Sequence, residues 1–363
     1  MTVTGTTTET VKQALETNEP LPGTGGFAGK VDDRLVRDVL GRYPLFFTPD
    51  RPTAWSHDPR DLDEAVRLPA GSVRENGETS KLWTLPDPDP VEKAKGLDWL
   101  RTALERTIAS VDTSGLAVAF SGGVDSALLA SALDVPLYTV GFPESHDIEA
   151  ARSAAALLDA DLTVLELDHE TLEAAVPRVA TAIGRTNAMD VQISLPLFVL
   201  AKHCATEGVD RLALGQGADE LFGGYEKVAR APDDPRVTAE TVAGARRELV
   251  GTLPDQLERD WLAVTAGGVD PVVPFLHDRV VAAALTLPGD SLVTEAGTRK
   301  WALRRVAEQW LPDEIAFRDK KALQYGSLVS RELDRIARQA GFKRRMDNHV
   351  TQYIEHMLDT YET

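Results

Sequence analysis

Residues 115–133 read GLAVAFSGGVDSALLASAL. The apolar run 116–120 has the length and composition of a strand buried on both faces, and 127–133 that of a helix able to pack on it. Ser121, Gly122, Gly123, Asp125 and Ser126 fall at the junction. Glycines there let backbone N–H groups approach phosphate oxygens closely, and the helix adds its unpaired N–H groups and the positive end of its dipole. Ser121 and Ser126 supply hydroxyl donors. Asp125 would repel phosphates unless a divalent cation stood between them, so it implies Mg2+. The turn therefore reads as a pyrophosphate cradle. It has neither the lysine of GxxxxGK[ST] nor the spacing of GxGxxG.

SGGVDS resembles the signature of the ATP pyrophosphatase, or PP-loop, superfamily. The resemblance implies ATP as the nucleotide, cleaved between its α and β phosphates, with the cradle formed by Phe120, Ser121, Gly122, Gly123, Asp125 and Ser126.

The whole chain has 363 residues, long enough for about two domains. Its 43% hydrophobic and 26% charged residues are those of a globular protein. No 18-residue apolar run occurs and the first residues, MTVTGTTTETVKQ, have neither a basic nor an apolar leader segment, so a cytoplasmic protein with no membrane partner is expected. A net charge of −18 argues against a nucleic-acid partner, whose phosphates require basic patches. The same acidity, with Arg ahead of Lys, suits a halophile's protein, kept soluble where salt screens self-repulsion. Cys204, the sole cysteine, lies in an apolar stretch and reads as a small buried side chain.

PDPDP at 86–90 is a stiff extended linker. Before it, GRYPLFF (41–47), TAWSHDP (53–59) and RLPAGSV (67–73) are short strand-like runs broken by Gly, Pro and Asp, so a small β-rich unit is expected over 21–92, preceded by a disordered tail over 1–20. After it, strands (136–142, 162–167, 211–214) alternate with helices (101–110, 148–158, 191–204), and the part beyond 229 is mostly helical. The fold class is thus α/β, a parallel twisted sheet with helices on both faces occupying 93–363, with ligands at the carboxyl ends of the strands.

The strand 211–214 runs into GQGADELFGGY, 215–225. Glycines allow a close turn, and Asp219 with Glu220 puts two carboxylates at a strand's carboxyl end. In that fold this end faces the first loop, so Asp125 and Asp219 are expected to share one Mg2+.

SGGVDS, GQGADELFGGY, VDPVVPFLH (269–277), RKWALRR (299–305) and RDKKALQYGS (318–327) occur in the order found in the synthetase domain of glutamine-dependent asparagine synthetases, which this chain resembles over roughly 93–330. The resemblance implies that the strand containing Val140 and Gly141 lines the adenosine site and that Leu214 and Gly215 lead into a loop closing over ATP. Asp219 then binds the metal, and Lys300 and Lys320 neutralise phosphates. Catalytic roles would fall to Lys320, Gln216, Glu220 and Asp270, the last accepting a proton from the attacking amine. ATP, aspartate or another small carboxylate, and ammonia become the expected partners; a homodimer is compatible with this.

The departures matter. Gln216 stands where the family commonly has Glu or Asp, Asp270 where it has Glu, and His277 where PFLD would have Asp. The segment 21–92 resembles the closing part of the family's glutaminase domain, but position 2 is Thr and no cysteine precedes Cys204. This segment is expected to survive as a packing surface, with nitrogen arriving as ammonia, free or from a separate glutaminase. A different acyl-adenylating amide or β-lactam-forming ligase on the same scaffold, and a non-catalytic ATP-binding relative, are the alternative readings.

Overall fold

The computed structural model describes residues 2–231, 239, 241–318 and 328–361. It divides into two compact units. One comprises Met1–Val111, Gly215–Glu258 and Val273–Gln309; the other Asp112–Leu214, Arg259–Val272 and Trp310–Thr363. The grouping does not follow a linear cut near residue 92, because the chain crosses between units at each end of the 215–258 and 273–309 segments.

In the first unit, strands β1 (Thr2–Thr4), β2 (Ala28–Val31), β3 (Arg34–Arg37), β4 (Phe46–Thr48), β5 (Arg51–Ser56), β6 (Val66–Arg67), β7 (Ser72–Glu75) and β8 (Glu78–Lys81) form two antiparallel sheets, ordered β1-β2-β3-β7-β8 and β5-β4-β6. Ala28, Leu35, Leu45, Phe47 and Leu68 form their shared core, with Tyr43 and Trp55 packed against it. The expected β-rich segment is present. The expected tail over 1–20 is not: β1 pairs with β2, and Thr8–Thr17 is a helix. Thr7 caps it by accepting the Thr10 N–H at 3.2 Å, Asn18 closes it in the left-handed conformation, and Val11 and Ala14, three residues apart, bury one face. Threonine-rich composition hid that cap and that spacing.

A buried charge network organises this unit. Arg42, from GRYPLFF, donates to Asp38 at 2.9 Å, and its Nη1 donates both to Asp278 at 2.7 Å and to the Leu276 carbonyl at 2.7 Å. Asp38 also accepts the N–H groups of Phe27, Leu40, Gly41 and Arg42, while Asp278 accepts those of Gly23 and Thr24. Burial alone would depress the Arg42 guanidinium; the two carboxylates outweigh it and hold its pKa above the ordinary value.

The second unit holds one parallel sheet, ordered β11-β10-β9-β12-β13, built from β9 (Leu116–Ala119), β10 (Leu137–Gly141), β11 (Leu162–Glu166), β12 (Arg211–Ala213) and β13 (Asp270–Val272). Leu116, Ala117 and Val118 are at most 3% exposed, as a central parallel strand covered on both faces requires. Helices Val124–Leu133, His146–Leu157, His169–Ile183 and Ala188–Thr206 alternate with the strands. The fifth strand, β13, is missing from the alternation read in the sequence. It has three residues and contains Pro271, which an edge strand tolerates. Among the described residues, no helix is long and apolar enough to cross a membrane.

Candidate functional site

In the second unit, β9 runs into the first loop at Phe120, which is 1% exposed and donates its N–H to the Tyr138 carbonyl at 2.7 Å. Its side chain therefore belongs to the core, and its N–H to the pairing with β10. Gly122 has φ +73°, and a Cβ there would collide with the backbone carbonyl of Ala150, so only glycine fits. The buried Ser126 hydroxyl accepts the Ser121 N–H at 3.1 Å, lies 3.1 Å from the Ser121 hydroxyl and donates to the Gly123 carbonyl at 3.2 Å. Helix Val124–Leu133 begins at Gly123 with no side chain capping it, and Asp125 sits in its first turn. An uncapped N-terminus flanked by two hydroxyls is suited to an anion. Val140 and Gly141 end the neighbouring β10, where Gly141 abuts the Ser145 hydroxyl.

Asp270 is elsewhere. It opens β13 in register with Arg211, which in turn pairs with Leu116. It is exposed at the amino end of the parallel strands, the opposite end from the Ser121 loop. The strand direction, invisible while β13 went unread, separates it from the cradle and removes the basis for a proton-accepting role.

In the first unit, the loop 215–225 is built around close approaches. Gly217, at φ +83°, packs where a Cβ would strike Leu276; Leu276 is fully buried, and its carbonyl is the one held by Arg42. Phe222 meets Phe275 edge-on at 6.4 Å. The short helix Ala218–Phe222 presents Asp219, whose Oδ1 is 2.9 Å from Nζ of Lys300. Lys300 is 1% exposed and itself left-handed at φ +55°, opening helix Trp301–Ala307. Gly224 makes that pair possible: a Cβ there would overlap Oδ1 of Asp219 and Cε of Lys300. Arg299 secures the far side by donating to the Gly224 carbonyl at 2.9 Å, and Arg304 donates to the Arg299 carbonyl at 2.8 Å. Glu220 is buried, which pushes its pKa up, and accepts a 2.7 Å hydrogen bond from the Tyr225 hydroxyl. Leu214 is buried at the end of β12, while Gly215 and Gln216, half-buried, start the loop.

The structure thus joins two residues the sequence placed in separate motifs, Asp219 and Lys300, and joins Ser121 to Ser126. Lys320 lies outside the described residues. Sequence reading passed over Gly224, Tyr225, Arg299 and Leu276, although all four sit inside the motifs it quoted. The double glycine of GQGADELFGGY was the available signal for a close approach.

The donor chemistry fits MgATP. Among the described residues, no three or more His, Cys, Asp or Glu side chains gather as a metal cage. Magnesium needs none when one or two carboxylates hold it together with substrate phosphates. Asp125, in an uncapped helical turn of the second unit, is a carboxylate of that kind, and so, by itself, is Asp219 beside its lysine in the first unit.

The profile of the asparagine synthase family matches residues 98–263 and 243–361. A putative glutamine-hydrolysing asparagine synthetase of Methanocaldococcus jannaschii is 28% identical over 398 residues, covering 90% of this chain and 72% of that protein. Asparagine synthetase B of Escherichia coli is 27% identical over 252 residues, covering 62% of this chain and 44% of that protein. Among solved structures, an NH3-dependent NAD synthetase from Campylobacter jejuni covers 74% of this chain and 94% of its own, with a TM-score of 0.30 and 13% identity.

Proposed function

Because the chain belongs to the asparagine synthase family, we propose that it is an AMP-forming ligase converting a carboxylate to an amide, with aspartate as the acid and ammonia as the nitrogen donor. A carboxylate oxygen of aspartate attacks the α-phosphorus of ATP and pyrophosphate leaves. Ammonia then attacks the acyl carbon, AMP departs, and the amine's surplus proton passes to solvent. Mg2+ supplies charge neutralisation on the phosphates.

The chain's own residues position and neutralise. The N–H groups at 122–126 with the Ser121 and Ser126 hydroxyls receive the pyrophosphate, Val140 and Gly141 flank the adenosine, and Asp125 and Asp219 serve the metal. Lys300, ion-paired to Asp219, offers its charge to the phosphates, as does Lys320. Glu220, kept toward its neutral form by burial and held by Tyr225, braces the loop. The observation that carries the reading is the uncapped helix N-terminus after β9, lined by two hydroxyls in mutual contact.

Ammonia is the donor this chain's thiol inventory supports. Cys204 is fully buried, and burial pushes its thiol up to about 12, so it supplies no thiolate to attack glutamine. Gln216 favours one further reading, an acid other than aspartate, since a neutral amide stands where the family commonly has a carboxylate.

The test is to incubate the chain with MgATP, ammonium and each of several amino acids, resolving nucleotides by chromatography and products by mass spectrometry. AMP and pyrophosphate in step with asparagine are expected; ADP and orthophosphate would overturn the proposal.

A further inference from the structure

A cavity of about 460 Å3 lies within the first unit, between the proline linker and helix Val242–Gly251. That volume is in the range of small-molecule sites. Val39, Leu85, Val250 and Leu285 give it an apolar wall, with Pro86 and Pro88 of the linker alongside. Its charged residues are Lys81, Arg246, Arg247 and Asp87. Asp87 is ion-paired with Arg247, and Lys81 donates to the Ala70 carbonyl at 2.7 Å.

Arg246 is the anomaly. It is 6% exposed, and its Nη1 and Nη2 donate to the Ala284 and Leu285 carbonyls at 2.6 and 3.1 Å. Those carbonyls end helix Asp278–Leu285 and offer partial negative charge, which accounts for two donors. Among the described residues, the buried Nε has no hydrogen-bond partner and no carboxylate forms a salt bridge with this guanidinium. Burial alone brings its pKa down to about 10. Buried guanidinium groups are ordinarily matched by a full negative charge.

We infer that this cavity binds a small organic anion, an aliphatic body with one carboxylate head, the head set against Arg246 and the body along the apolar wall. The site shares no residue with the ligase motifs, so it stands or falls independently of the proposed reaction.

Calorimetric titration of the full chain with octanoate tests it, with octan-1-ol as the uncharged match and inorganic phosphate as the anion without a body. Octanoate should bind, octanol about tenfold to a hundredfold more weakly for want of the charged hydrogen bond, and phosphate not measurably. Hexanoate, two methylenes shorter, should bind about fifteenfold more weakly than octanoate. Arg246→Met should reduce octanoate binding to the level of octanol while leaving octanol unchanged. Should that variant fail to fold, Gly251→Phe decides the matter. Gly251 lines the cavity, and a Cβ there meets nothing within 4 Å, so phenylalanine is introduced without steric strain, and its bulk at the lining should weaken octanoate binding. No binding of octanoate to the parent chain, equal affinity for octanoate and octanol, phosphate binding as tightly as octanoate, or octanoate affinity unchanged in Gly251→Phe would each overturn the inference.

Discussion

Gly224→Ala probes the contact on which the Asp219 loop depends. The Gly224 backbone lies outside the left-handed region, so alanine is not strained there, and any penalty must come from the new methyl group meeting the Asp219 carboxylate and the Lys300 stem. Displacing the carboxylate breaks a 2.9 Å ion pair whose lysine side chain is 2% exposed and whose aspartate is 25% exposed. Removing one partner of a fully buried pair costs about 3–5 kcal/mol. Here the partner is displaced and partly solvated, so about 2–4 kcal/mol is the appropriate range. Urea unfolding should show a midpoint lower by roughly 1 M for a slope near 3 kcal/mol per M. In a Lys300→Ala background the lysine stem is gone and the aspartate has room to swing aside, so the same glycine substitution should cost less than about 1 kcal/mol. An equal penalty in both backgrounds, or a parent penalty below about 0.5 kcal/mol, would refute the reasoning.

Asp125→Asn should lower AMP formation at least about a hundredfold while leaving the free energy of unfolding within about 0.5 kcal/mol of the parent, since the loss is of charge on the phosphate side; assay and urea unfolding on the same preparation check both. His277 caps helix Asp278–Leu285 by accepting the Arg279 N–H on Nδ1 at 3.2 Å, which only the unprotonated ring can do, and burial, reinforced by Arg279 and Arg42, depresses its pKa from 6.5 to about 4. The unfolded chain therefore binds the extra proton first: the stability is complete above pH 6.5 and is lost as pH falls toward 4, by at most about 2–3 kcal/mol. His277→Asn, which keeps an acceptor, should flatten that part of the unfolding profile. Gln216→Glu should change the ranking of amino-acid substrates more than the apparent affinity for ATP; a tenfold change for ATP with an unchanged ranking would move Gln216 to the nucleotide side.

The parallel sheet was legible because its central strands are continuous apolar runs, and the first loop because its residue types each answer to phosphate or metal chemistry. The three-residue β13, interrupted by Pro271, gave no such signal. Without β13 there was no strand direction to assign to Asp270, and its proton-accepting role rested on the motif match alone. The N-terminal helix was lost for a different reason: threonine reads as loop by composition, whereas its capping oxygen and two apolar residues three apart work by position. The Asp219–Lys300 pair joins residues about eighty apart in the chain, and no local pattern encodes such a partnership.

Arg42 gives the N-terminal β segment a consequence for anyone wishing to trim this chain. Its guanidinium neutralises Asp278 and fixes the Leu276 carbonyl, and Leu276 is the floor on which Gly217 rests. A fragment starting at residue 93 would strand a buried carboxylate and leave that floor unsupported. Lesions scattered through 21–92 would then surface as lost turnover in the proposed reaction, with every residue proposed to meet the nucleotide still intact, and an alanine scan read only by activity would mistake a foundation for a catalyst.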